Sequence, residues 1–230
     1  MRDTIYTIPL TDVFEPRDGC PLCRLYDILE QRCVEYIMGA AMMEPDVRVE
    51  TNRLGFCRRH FDMMLARKNR LSIALMLESH LDHISKEILT EKGTAPVKKG
   101  RSAAAELAES CYVCGKVGSV LDTMVSNLLT VWGRDASFRE LYAEQPFLCL
   151  PHTARLLEVA PKELNKKQLP EFRRVTLELA GKQLDVLRKD ITTFCRSFDY
   201  RNASTPAELG RCRDSVERSV SFLAPQGGAR

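Results

Sequence analysis

Nearly every stretch of this chain with a clear hydrophobic period reads as helix. Leu22, Leu25, Leu29, Val34, Tyr36 and Ile37 recur at helical spacing, with Cys33 on the same general side, and Glu44-Pro45-Asp46 ends that run. Phe56, Phe61, Met64 and Leu65 mark a short second helix, with Cys57 near its start. A third runs from Leu71 to Leu89, with Leu71, Leu75, Leu77, Leu81, Ile84 and Ile88 apolar. The segment from Glu91 to Gly100 then loses all periodicity and gains turn residues and charge, which predicts an exposed, protease-sensitive linker. Beyond it the plan recurs. The pattern predicts helices over Tyr112 to Trp132, Asp135 to Glu144 and Cys149 to Val159. A breaker region from Pro161 to Pro170 precedes a long helix from Glu171 to Phe198. Val216, Val220 and Leu223 allow one more short helix in a tail with no counterpart in the first half.

On this helical background nine cysteines and four histidines are distributed very unevenly. Cys20-Pro-Leu-Cys23 is followed, after a gap of 33 residues, by Cys57-Arg-Arg-His60. Cys111-Tyr-Val-Cys114 is followed, after a gap of 34 residues, by Cys149-Leu-Pro-His152. The two sets are offset by 91 to 92 residues. The segments His80 to Ile88 and Gln183 to Ile191 also match, at an offset of 103, which implies an 11-residue insertion near Ala160 to Pro170. Three matched elements in one order predict a tandem duplication. The expected architecture is therefore all-α: a first helical metal-binding repeat over 1–92, a linker over 93–104, a second repeat over 105–198 and a C-terminal extension over 199–230. Each repeat is expected to be pinned by a Cys3His site.

Two residues between cysteines let both sulfurs reach one ion from a helix's first turn, and four nitrogen and sulfur ligands suit tetrahedral zinc best. The helix dipole and the unpaired amides of the first turn favour thiolate there. The preferred assignment groups ligands within each repeat: Cys20, Cys23, Cys57 and His60 in one site, Cys111, Cys114, Cys149 and His152 in the other. Spacing alone does not exclude exchange, with Cys20 and Cys23 joining Cys149 and His152. Two zinc ions per chain are expected; an iron–sulfur cluster is the alternative cofactor. Three thiolates around a dication leave one net negative charge, which Arg24, Arg58 and Arg59 are placed to offset in the first site and Lys116 in the second.

Composition narrows the rest. With 44% apolar residues the chain has a core to bury and does not need disulfides to stand in for one. An odd number of cysteines and the absence of an apolar run at the start point to a reducing, cytoplasmic setting. The longest strongly apolar stretch, about Tyr36 to Met43, is far short of a membrane span. A net charge of +3, from 34 basic and 31 acidic residues, argues against a protein built to neutralise nucleic-acid phosphate. No phosphate-binding loop, zinc-protease or nucleophile-elbow motif is present. His80, His83 and Glu87 lie on one face of the third helix, but the second repeat has Gln183 and Val186 at the histidine positions, so they read as ordinary helix residues. The methionines Met38, Met42, Met43, Met63, Met64 and Met76 read as core filler. Cys33 and Cys195 read as packing residues and Cys212 as an exposed thiol.

Four stretches resemble a known family: Asp18 to Leu25, Met43 to Arg48, Thr51 to Phe61 and Phe198-Asp-Tyr-Arg-Asn202. The chain is similar, over nearly its whole length, to an uncharacterised bacterial family with the same duplicated CxxC and CxxH arrangement. The resemblance implies a helical cytoplasmic protein and carries no assigned activity. The residues favour a non-enzymatic zinc-binding protein that interacts with, or regulates, a protein partner. The alternatives are a thiol-based redox or metal sensor, and an enzyme built on an iron–sulfur centre or on His80, His83 and Glu87.

Overall fold

A computed structural model describes residues 9–95, 102–198, 210 and 212–225. Among them every regular element is helical, as the periodicity predicts. In chain order they are α1 (Leu10–Phe14), α2 (Pro21–Met38), a 3₁₀ turn (Ala40–Met43), α3 (Pro45–Leu54), α4 (Arg58–Ala66) and α5 (Arg70–His83). A π-helical turn (Ile84–Ile88), α6 (Glu91–Thr94), α7 (Ala103–Glu109), α8 (Tyr112–Arg134) and α9 (Ala136–Ala143) follow. Then come α10 (Leu150–Glu163), α11 (Leu169–Arg196) and α12 (Ser215–Leu223). No helix among the described residues is long and apolar enough to cross a membrane. Of the tail motif Phe198-Asp-Tyr-Arg-Asn202, all but Phe198 lies outside the described residues, as do residues 96–101 of the expected linker.

The chain divides into two compact units, and the division cuts through α2 and α8. One unit contains 28–120; the other joins 8–27 to 121–230. The first turns of α2 therefore belong with the later unit, and the first turns of α8 with the earlier one.

In the unit containing 28–120, the core is formed by Leu29, Cys33, Val34 and Ile37 of α2, Met64 of α4, Ile73 and Met76 of α5, and Tyr112, Val113 and Val117 of α8. Pro45 does end the preceding apolar run, but it also opens α3, since a proline in the first turn forfeits no helical hydrogen bond. The hydrophobic pattern does not reveal α3, because Thr51 is its one buried residue. This polar helix packs along α5 and decides which face of α5 is covered. Ser72, Ile73, Met76 and His80 turn inward, while Leu71 and Leu81 of the expected apolar stripe stay exposed. Asn52 explains the choice: Ser79 Oγ donates to its side chain at 3.0 Å, and His80 Nδ1 lies 3.0 Å from its carbonyl oxygen. The start of the expected linker is a capped turn instead, where Thr90 Oγ1 accepts from the Gly93 amide at 3.0 Å.

The other unit is organised around aromatic side chains. Phe14 of α1 packs edge-on against Phe138 at 5.2 Å between ring centroids and stacks on Tyr142 at 5.9 Å. Phe172 of α11 then meets both Tyr142, at 5.5 Å, and Trp132, at 5.1 Å. Aromatic pairs of this kind contribute about 0.5–1.5 kcal/mol beyond their buried area. The buried Tyr142 hydroxyl is satisfied by Thr176 Oγ1 at 2.8 Å, and Gln145 Nε2 donates to the Phe14 carbonyl at 2.7 Å. Asp135 caps α9 by accepting from the amides of Ser137 and Phe138. α12 forms where the tail pattern predicts it, but Phe222 faces the core, and Val216, Val220 and Leu223 are exposed. Two cysteine readings are reversed: Cys212 is buried and Cys195 is exposed. Cys33 is buried, as expected.

Candidate metal centres

All four half-motifs occupy the same local position. Cys20 precedes α2 and Cys23 lies in its first turn; Cys111 and Cys114 have the same relation to α8. Cys57 and Cys149 are the N-cap residues of α4 and α10, so His60 and His152 fall in the first turn of each. The carbonyl of the leading cysteine starts the helix each time, accepting from the amides of Arg24, Phe61, Gly115 and Thr153 at 2.9–3.2 Å. The side chains of a half-motif thereby project from one helix end, beside amides that favour anionic sulfur.

The half-motifs combine across the two copies, not within them. Cys20 and Cys23 meet Cys149 and His152; Cys57 and His60 meet Cys111 and Cys114. This corrects the within-repeat assignment and follows the division into units. After Cys23, α2 carries the chain about 22 Å away, and α3 then packs on α5 instead of returning along α2. Within each group all four ligand atoms lie within 4.8 Å of one another.

In the centre containing Cys20, His152 Nδ1 lies 3.1 Å from Cys149 Sγ, 3.4 Å from Cys23 Sγ and 3.7 Å from Cys20 Sγ. The Cys23 and Cys149 sulfurs are 3.6 Å apart. Cys20, Cys149 and His152 are buried and Cys23 is half-buried. Arg24, on the helix turn that carries Cys23, ties this site to α1: its guanidinium bonds the Val13 carbonyl and Asp18. Arg24 is thus occupied locally and is not aimed at the thiols.

In the centre containing Cys57, His60 Nδ1 lies 3.1 Å from Cys57 Sγ, 3.2 Å from Cys111 Sγ and 3.5 Å from Cys114 Sγ. The Cys57 and Cys114 sulfurs are 3.9 Å apart. Behind the ring, Nε2 lies 3.0 Å from Glu30 Oε1, and Arg59 donates to Glu30 Oε2 at 2.6 Å. Burial works against ionising Glu30, yet His60 and Arg59 hold its carboxyl below the usual range. With Nδ1 turned to the sulfurs, the Nε2–H has a fixed acceptor, which sets tautomer and ring orientation. The sequence reading missed Glu30. The signal was an acidic residue within the α2 stripe of Tyr26, Cys33, Val34 and Ile37, where an unpaired charge is not tolerated. The other centre has no equivalent: His152 Nε2 is buried with no hydrogen-bond partner among the described residues. Arg58 pairs with Asp62 and Lys116 stands over the Tyr112 ring, so neither expected cation points at the sulfurs.

A short run of backbone locks the second centre together. Gly55, at φ +57°, ends α3, and its carbonyl accepts from the Tyr112 amide at 2.9 Å while Ser110 Oγ donates to Leu54 O at 2.7 Å. Those bonds bring the approach to Cys57 alongside the approach to Cys111. A Cβ at position 55 would stand 3.2 Å from the His80 ring and 3.3 Å from Leu107. His80 is therefore packing under this turn, and it forms no metal-ligand group with His83 and Glu87. Gly55→Ala is expected to cost about 1–2 kcal/mol, from a backbone region closed to side chains and from that contact. Thermal unfolding checks this; an unchanged midpoint would contradict it.

The electrostatics describe what the clusters lack. Burial opposes ionisation of Cys20, but hydrogen bonds from Cys149, Cys23 and His152 hold it well below the ordinary thiol range, while Cys149 is pushed up to about 12 by Cys20. Cys111 falls to about 3, chiefly through Cys114, whose own thiol is driven upward by it. His60 rises to about 10 despite its burial, held by Cys111 and Glu30. One thiolate forms easily and suppresses the next; a bound cation removes that competition and lets three ionise together.

A family profile matches residues 1–229, almost the entire chain. The chain belongs to the family of unknown function DUF6062. The resemblance carried by the four motif stretches is thereby confirmed, and the two Cys/His groups are features of this DUF6062 protein's helical fold. Neither the curated proteins nor the solved structures gave a match.

Proposed function

We propose that this DUF6062 protein is a non-enzymatic zinc protein in which two structural Cys3His centres hold helical units that interact with, or regulate, a protein partner. The observation that carries the proposal is that each centre brings four potential ligand atoms within 4.8 Å of one another, the full complement of a structural tetrahedral zinc ion. Zinc bonds of 2.3 Å to sulfur and 2.0–2.1 Å to nitrogen imply tetrahedral edges of about 3.8 Å between sulfurs and about 3.6 Å between sulfur and nitrogen. The sulfur–sulfur distances of 3.6 and 3.9 Å lie close to that figure, and the sulfur–nitrogen distances of 3.1–3.7 Å reach it at their upper end. An iron–sulfur cluster spreads its ligands over several irons and fits it less well. Leu177 and Leu184, exposed seven residues apart on one face of α11, support an interaction role.

Elemental analysis of protein purified without oxygen or added metal tests the metal. Two zinc ions per chain and no visible absorbance are expected. Iron with a brown absorbance, or protein folded without metal, would overturn the reading.

A further inference from the structure

The two centres differ in how they meet solvent. In the Cys57 centre, His60 and Cys111 are buried, Cys57 is half-buried and Cys114 is exposed. In the Cys20 centre no ligand is exposed. Among the described residues the helix surface next to Cys114 is also open. Gly115 and Gly118 follow it on α8, and beyond their own helix turn no described residue comes within 4 Å of where a side chain would begin on either. The Lys116 ammonium is drawn back over the Tyr112 ring, 5.6 Å from its centroid.

The centre therefore has an inner and an outer half. His60 is fixed from behind by Glu30, and Cys111 lies against it. Cys57 and Cys114 form the outer half, their sulfurs 3.9 Å apart. A disulfide needs about 2.05 Å, so the two must close by about 2 Å. Each sits in or at the start of a helix's first turn, where side-chain rotation supplies such a movement.

We propose that Cys57 and Cys114 are a hydroperoxide-oxidation site, and that their oxidation expels the metal from this centre alone. The proposal rests on the zinc reading, because bound zinc keeps both sulfurs as thiolates. Thiolate character, exposure and an adjacent second thiol are the conditions under which cysteine oxidation is selective. The Cys114 thiolate attacks the terminal oxygen of a hydroperoxide; an S–O bond forms, the O–O bond breaks, and the alkoxide takes a proton from water. Cys114 is left as a sulfenic acid. The Cys57 thiolate then attacks the Cys114 sulfur; an S–S bond forms, the S–O bond breaks, and hydroxide leaves and is protonated. The two sulfurs lose two electrons, and the peroxide is reduced to an alcohol and water. Zinc keeps only Cys111 and His60 and dissociates. A dithiol reductant reverses the sulfur chemistry.

The test uses the full-length zinc-loaded protein with Cys195→Ser, which removes the other exposed thiol. Its metal content is measured first, so failure of the zinc reading shows before any oxidant is added. One equivalent of hydrogen peroxide is then supplied, zinc release is followed with a chromogenic chelator, and disulfides are mapped by peptide mass spectrometry. One zinc ion per chain should leave at least tenfold faster than the second, with a Cys57–Cys114 disulfide, and dithiothreitol with added zinc should restore it. Zinc retained under excess peroxide, equal loss from both centres, or a disulfide between other cysteines would overturn the proposal. The mapping is done on the native ligand set, so it does not depend on a ligand variant folding.

Discussion

Cys149→Ser is expected to loosen residues 10–27, more than a hundred positions away in sequence, and to leave 111–120 protected. The reason is the exchange of half-motifs. Cys149 and His152 share their centre with Cys20 and Cys23, so losing one sulfur releases the start of α2 and, with it, α1. The effect is large because a structural zinc site contributes on the order of 10 kcal/mol or more, comparable with the whole stability of an ordinary domain, about 5–15 kcal/mol. The aromatic contacts of Phe14 with Phe138 and Tyr142 remain as the second tie between α1 and the rest of its unit. Amide hydrogen exchange checks the outcome: protection should fall over 10–27 and 148–160, and metal content should drop by one ion. Loss of protection at 111–120 instead would point back to grouping within each copy.

Glu30→Leu should weaken metal binding at the Cys57 centre by about ten- to a hundredfold, the usual consequence of deleting a carboxylate behind a ligating histidine. Two groups lose their acceptor together. The His60 Nε2–H is left buried with no partner, and Arg59 loses its 2.6 Å contact. Glu30→Gln should cost less, because its amide oxygen still accepts from Nε2–H. Competition against a zinc chelator reads both variants, and the Cys20 centre is an internal control, since His152 has no such partner among the described residues. Equal behaviour of the leucine variant and the native protein would remove Glu30 from the account.

What was legible in the sequence was whatever depends on short spacing. Two residues between ligands place Cys20 with Cys23, and Cys57 with His60, on one helix turn, and that relation survives in the fold unchanged. The periodic runs behind α2, α8 and α11 were readable because long amphipathic helices repeat the same signal many times. The grouping of half-motifs was not readable, because nothing in a gap of 33 or 34 residues says which of two equivalent partners the chain returns to. It is decided by the length of α2 and by α3 packing on α5. α3 itself was invisible to a hydrophobic pattern, since it buries a threonine and works through the polar groups of Asn52. The face of α5 was misjudged for the same reason: that helix is apolar on several sides, and the hydrogen bonds of Ser79 and His80 select among them. Cys195 and Cys212 were exchanged in the reading because one cysteine on a helix carries no period. Glu30 stands between the two cases, plainly out of place in an apolar stripe but meaningful only once His60 is known to face it.

The central claim is that each centre takes two ligands from each copy of the motif. It is tested most directly by loading the protein with the spin-half isotope of cadmium and recording cadmium–proton correlations to the cysteine β-protons and histidine ring protons. One cadmium resonance should correlate with Cys20, Cys23, Cys149 and His152, and the other with Cys57, His60, Cys111 and Cys114. A single cadmium correlated with both Cys20 and Cys57 would contradict the account.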